Sequence, residues 1–204
     1  MRILFLGTGT SHGVPVIGCA CPACSSRDPR DRRFRSSLYL EEGGTALMID
    51  AGPELRLQAL RAGISQLDAL LLTHAHADHI HGLDDLRPLT RGRPLPVYGN
   101  AAALNELRER FSYAFREGQE GGGKPRFELF ECATEGFSVQ RPGGTFLRIQ
   151  PVPVLHGVLP ILGFRIGDLA YLSDCSTIPD SSLGLLDGIK VLIVDGLRIR
   201  PHPT

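Results

Sequence analysis

The sequence carries no net charge: 22 Lys and Arg balance 22 Asp and Glu. That balance supplies no general basic face for nucleic acid or for an anionic membrane surface. No apolar run is long enough to span a bilayer. The opening Met-Arg-Ile-Leu-Phe-Leu is too short in its apolar part for a secretory leader and reads as a first strand. There is no even set of cysteines: the five present, three of them clustered, suit a reducing compartment and metal binding better than a disulfide framework. A cytoplasmic protein is expected. There is no exact internal repeat and no Lys-rich Gly-Pro insertion. With 204 residues, 42% hydrophobic and 22% charged, the chain is predicted to form one domain over residues 1–204.

What is present is a concentration of imidazole. Four of the seven His residues fall in Thr73-His74-Ala75-His76-Ala77-Asp78-His79-Ile80-His81-Gly82. The preceding Ala69-Leu70-Leu71-Leu72 reads as a buried strand. Alternation along an extended segment lets His74 and His76 converge on one point. Asp78 and His79 then open a helix that re-aims them toward a second point nearby. Titratable donors packed at the end of an apolar strand are costly unless something pairs them. Two adjacent divalent cations are the expected occupants, with zinc suiting the imidazoles and manganese the carboxylates. Asp78 is read as catalytic as well as ligating, and His81 as a structural or supporting residue outside the core motif.

A second cluster is Cys19-Ala20-Cys21-Pro22-Ala23-Cys24. Three thiols within six residues can wrap one tetrahedral zinc, with a fourth ligand from elsewhere. The Gly7-Thr-Gly-Thr-Ser-His-Gly13 stretch after the first strand is not a dinucleotide fingerprint, because His12 stands where Gly is needed and Pro15 follows. It reads as a tight turn beside the site. Residues 27–35 hold five Arg and two Asp. They form a solvated face, unless Arg32, Arg33 or Arg35 contacts phosphate.

Strands are predicted at residues 38–40, 45–50 and 95–99, then at 127–130, 146–154, 163–166, 170–173 and 191–194. Helices are predicted at 53–61, 101–115 and 179–186. Asp50, at the end of an apolar strand, should hydrogen-bond or face the site. Residues 117–125 are the only linker-like stretch, and a flap over the substrate is one reading of them. A two-sheet sandwich with helices outside fits the pattern.

The His-x-His-x-Asp-His element resembles the signature of the metallo-β-lactamase superfamily. The resemblance implies an αββα sandwich with a dinuclear site at one edge. It also implies His156 as a further ligand, Asp174 as the bridge between two ions, and Asp50 as support behind the ligands. Cys19, Cys21 and Cys24 resemble the structural zinc cluster of the phosphoribosyl cyclic phosphate phosphodiesterase branch. There the fourth ligand is a His near the C-terminus. The activity so implied is hydrolysis of a small or cyclic phosphodiester by a hydroxide shared between the metals. A small-molecule substrate is expected, with neither membrane nor nucleic acid as partner and a homodimer left open. The alternatives are a non-catalytic scaffold in pyrroloquinoline quinone biosynthesis and a ribonuclease Z-like tRNA-processing nuclease. The family's last His ligand has no counterpart before Arg200-Pro-His202-Pro-Thr204, so C-terminal elements are expected to be missing.

Overall fold

Alternate side chains of the strands at Ser37–Glu42 (β2) and Thr45–Ile49 (β3) face two different cores. Leu38, Leu40, Leu47 and Ile49 point one way; Tyr39, Ala46 and Met48 point the other. A strand apolar on both faces must be covered on both, and the computed structural model shows how. It describes residues 1–118 and 122–196.

Among the described residues, the other strands are Arg2–Gly7 (β1), Ala69–Leu71 (β4), Leu95–Gly99 (β5), Phe127–Glu131 (β6) and Phe137–Gln140 (β7). Phe146–His156 (β8), Leu159–Ile166 (β9), Leu169–Leu172 (β10) and Val191–Val194 (β11) complete them. The first sheet runs β1-β2-β3-β4-β5-β6, and the second runs β11-β10-β9-β8-β7. Leu38, Leu47 and Leu71 of the first sheet meet Ile149, Phe164 and Ile166 of the second, forming the middle core. On the outer face of the first sheet, Met48, Leu70, Leu72 and Val97 pack against helical residues. Leu55 comes from Leu55–Ala62 (α1), Ile80 from Ala77–Ile80 (α2), and Leu104 and Leu107 from Ala101–Arg110 (α3). On the far side of the second sheet, Val152, Val154 and Leu172 pack with Leu185 and Leu186, just past Asp180–Leu183. The layers are helix, sheet, sheet, helix, as expected for an αββα sandwich.

Three local readings need correction. The helix expected over 101–115 breaks at Phe111 and resumes only as Ser112–Phe115 (α4). Phe111 is buried and leaves helical geometry at φ −108° and ψ 34°. β9 begins at Leu159, four residues before the predicted strand, and includes Pro160. Pro160 pairs with Leu155 of β8, while β10 reaches only Phe164, Arg165 and Ile166 of β9. The missing N–H at Pro160 therefore faces the unpaired side of the strand, where it costs no ladder bond. β7 was not predicted at all. Of the linker-like stretch, residues 119–121 lie outside the described residues. Gly123 and Lys124 line a different cavity from the one bounded by the His cluster.

Candidate metal centre

The site is built where both sheets end at one edge. β4 stops at Leu71, and Thr73 is locked immediately beyond it. The Thr73 N–H donates to Asp50 Oδ1 at 2.9 Å and the Thr73 hydroxyl donates to Asp50 Oδ2 at 2.7 Å. The Thr73 carbonyl accepts the Leu162 N–H at 3.0 Å, tying the loop to the second sheet. Asp50 is fully buried and sits at φ 61°. That left-handed backbone turns its carboxylate back toward the strand end, a conformation Asp tolerates better than most residues.

This frame fixes the imidazole tautomers. A hydroxyl has one proton, and that of Thr73 goes to Asp50. Its oxygen therefore accepts from His74 Nδ1, 2.9 Å away, which leaves His74 Nε2 with a free lone pair. Asp50 Oδ2 also accepts from His79 Nδ1 at 2.7 Å, which leaves His79 Nε2 as the nitrogen aimed into the site. Partners of this kind orient metal-binding imidazoles and raise their basicity.

Around those nitrogens the predicted donors collect. Ligand atoms of His74, His76 and His156 lie within 4.8 Å of one another, as do those of His74, His79 and Asp174. His74 Nε2 is 2.9 Å from His76 Nδ1 and 3.7 Å from Asp174 Oδ2. His79 Nε2 is 2.9 Å from Asp174 Oδ2 and 3.3 Å from Asp78 Oδ2. Asp174 follows β10 at φ 55°, and His156 ends β8. Strand ends from both sheets thus meet at one point. The backbone permits it by close approach: a Cβ on Gly52 would stand 2.1 Å from the Asp78 carbonyl oxygen, and one on Gly82 2.0 Å from that of Gly52.

The electrostatics fit cations. Burial first, and then the neighbouring His79 charge, pushes His74 down to about 3, so it is a neutral donor near pH 7. Burial would raise Asp78, but its hydrogen bond to His79 and the charge there hold it at about 2. Burial would likewise lower His79, yet Asp50, Asp174 and Asp78 together draw a proton onto it. A cation at His79 Nε2 would take over the work of that proton. The donor set, two imidazole-rich triads sharing His74 with a carboxylate beside both, fits a pair of divalent ions.

Sequence reading overlooked Asp195, which follows β11 and accepts the Cys175 N–H at 2.9 Å, bracing the turn that carries Asp174. The signal was available, because Asp50, Asp174 and Asp195 each come just after an apolar strand. Cys175 lines the same cleft, but burial, and then Asp195, pushes its thiol up. His81 stands apart, with its ring 6.3 Å from that of Phe111. His202 lies outside the described residues. Away from this centre, the Sγ atoms of Cys19, Cys21 and Cys24 also lie within 4.8 Å of one another. The Val16 N–H donates to Cys24 Sγ at 3.3 Å.

Comparison with known proteins agrees with the architecture. A family profile described as a β-lactamase superfamily domain matches residues 45–204. The chain belongs to the metallo-β-lactamase superfamily. A solved superfamily structure, a new diphosphatase from the PhnP family, superposes with a TM-score of 0.86 and 42% identity, covering 99% of this chain and 76% of that one. An octanoyltransferase of Porphyromonas gingivalis is 42% identical over 207 residues, which is 100% of this chain but 41% of that protein. The chain therefore spans less than half the length of that relative. Coenzyme PQQ synthesis protein B of Methylobacterium radiotolerans is 27% identical, covering 96% of this chain and 73% of the relative. Among the described residues no helix is long and apolar enough to cross a membrane.

Proposed function

We propose that this chain is a metal-dependent hydrolase that cleaves a P–O bond in a small or cyclic phosphodiester, of which a phosphoribosyl cyclic phosphate is one example. The observation that carries the reading is Asp174 Oδ2 standing 2.9 Å from His79 Nε2 and 3.7 Å from Nε2 of His74, the imidazole common to both donor triads. His74, His76 and His156 would hold one cation, Asp78 and His79 the other, and Asp174 would serve both. Zinc or manganese is the expected metal there, and Cys19, Cys21 and Cys24 would hold a separate structural zinc. When bound, the pair supplies Lewis acidity, which acidifies water and neutralises phosphoryl oxygens. The residues themselves hold geometry: Asp50 and Thr73 keep His74 and His79 aimed, and Asp195 keeps the Asp174 turn in place. The cleft above them has a volume of about 1140 Å³, enough for a small substrate.

The diphosphatase named among the relatives supports phosphorus as the centre attacked. Octanoyl transfer is not proposed, because covalent acyl transfer relies on an activated nucleophile. The thiol beside the centre, Cys175, is shifted away from the reactive thiolate. The test is turnover of bis-p-nitrophenyl phosphate by protein loaded with manganese or zinc. Release of p-nitrophenol that a chelator abolishes and added metal restores is expected. Full metal loading without turnover would contradict the proposal and favour the non-catalytic scaffold.

A further inference from the structure

We propose that Ser176 is a positioning residue for the metal centre: its hydroxyl bonds the backbone on both sides of His156 and ties that imidazole to the loop that carries Asp174. This rests on the reading of His156 as a ligand and names what holds it in place.

The imidazoles of the centre are not supported alike. His74 is aimed by the Thr73 hydroxyl at 2.9 Å and His79 by Asp50 at 2.7 Å, each through its own ring. The His156 ring makes no hydrogen bond among the described residues. It stands beside His74 and His76, with ring centroids 5.6 Å and 5.3 Å away. Metal-binding imidazoles are ordinarily oriented by a partner on the second nitrogen. For His156 the orientation has to come from the backbone that carries the ring.

That backbone ends a hairpin with little else to hold it. β7 covers β8 only from Phe146 to Ile149. Gly157 turns the chain at φ 60°, and Val158 at the tip is 96% exposed. What meets the far side of β8 here is the stretch just after Asp174. Leu155 and Thr177 form an isolated antiparallel bridge, in which the Leu155 N–H donates to the Thr177 carbonyl at 2.9 Å. The Ser176 N–H donates to the Leu155 carbonyl at 2.8 Å. Ser176 Oγ donates its one proton to the same carbonyl at 2.9 Å and accepts the Gly157 N–H at 2.8 Å. The two peptide groups that flank the His156 Cα are thus bonded to a single hydroxyl.

Ser176 lies two positions past Asp174, and both line the cleft. One ligand's backbone is therefore fixed from the loop that presents another. His156 and Asp174 belong to different donor triads joined at His74, so the clamp sets how the two triads stand to one another. Truncation to alanine would leave the backbone bonds of Leu155 in place and release the Gly157 N–H, on an exposed residue that water can reach. The loss falls on the aim of His156 rather than on the fold.

The experiment is cobalt(II) titration of the metal-stripped chain, followed by visible absorbance, with urea unfolding of the same metal-free proteins. Cobalt on the thiolates of Cys19, Cys21 and Cys24 absorbs by charge transfer in the near ultraviolet and is counted separately. Ser176→Ala is expected to weaken one of the two ions at the His cluster about tenfold and to leave the urea midpoint unchanged. Ser176→Thr, which keeps the hydroxyl, should recover most of the loss. In a His156→Ala background Ser176→Ala should add nothing, because the group it positions is gone. Undiminished cobalt binding by Ser176→Ala, or an equal loss with and without His156, would overturn the assignment. So would undiminished binding with slowed turnover, which would place the hydroxyl on the substrate instead. Binding is read without substrate, so the two proposals fail separately. A protein that never hydrolyses bis-p-nitrophenyl phosphate yet shows this coupling defeats only the hydrolase reading. Turnover with Ser176-independent metal binding defeats only this one.

Discussion

Replacing His76 with alanine is expected to lower turnover of a phosphodiester by about a thousandfold and leave the fold intact. The side chain is exposed, so truncating it removes no core contact. Its Nδ1 stands 2.9 Å from His74 Nε2 and its ring centroid 5.3 Å from that of His156, which makes it one corner of a donor triad. A Lewis acid at such a site supplies several kcal/mol of transition-state stabilisation, and losing about 4 kcal/mol corresponds to roughly a thousandfold in rate. Stability of the metal-free protein should change by less than about 0.5 kcal/mol, the usual range for a surface substitution. Steady-state kinetics with metal analysis and urea unfolding separate the two effects. A variant that keeps its metal content and its rate would remove His76 from the centre.

Asp50→Asn should show the opposite division, with a large loss of stability as well as of metal. Asp50 accepts three hydrogen bonds, from the Thr73 N–H, the Thr73 hydroxyl and His79 Nδ1. An amide offers one acceptor oxygen and turns an NH2 toward a donor. One buried donor of the three is left facing another, at a cost of about 1–3 kcal/mol. The change also removes the partner that aims His79, and such losses weaken metal binding by about 10–100-fold. The urea midpoint of the metal-free variant and its zinc or manganese affinity are the measurements. An unchanged midpoint with unchanged affinity would show that Asp50 is not the support assigned to it.

The motif at residues 73–82 was readable because its chemistry is local: a strand, a turn and a short helix bring four donors together within six positions. The sheets were largely readable too, since apolar runs such as Ala46–Ile49 and Val191–Val194 are buried or paired as strands wherever they fall. What was not readable depended on distant partners. Nothing near Pro160 reveals that one side of β9 is unpaired there. Nothing near Phe111 reveals that its ring is needed in the outer core. Of the arginines between 27 and 35, the sequence left three as candidates for phosphate contact, and only packing separates Arg33 from Arg35 by giving the latter Glu54. His156 and Asp174 could be named only through resemblance, because the donors they join lie 80 or more positions away.

The most direct measurement is anomalous scattering from crystals grown with saturating manganese or zinc. Two peaks are expected, roughly 3.5–4 Å apart. One should be bounded by His74, His76 and His156 and the other by Asp78 and His79, with Asp174 touching both. A zinc data set should add a separate peak among Cys19, Cys21 and Cys24. A single ion at the His cluster, or none, with these side chains turned away from one another, would contradict the account.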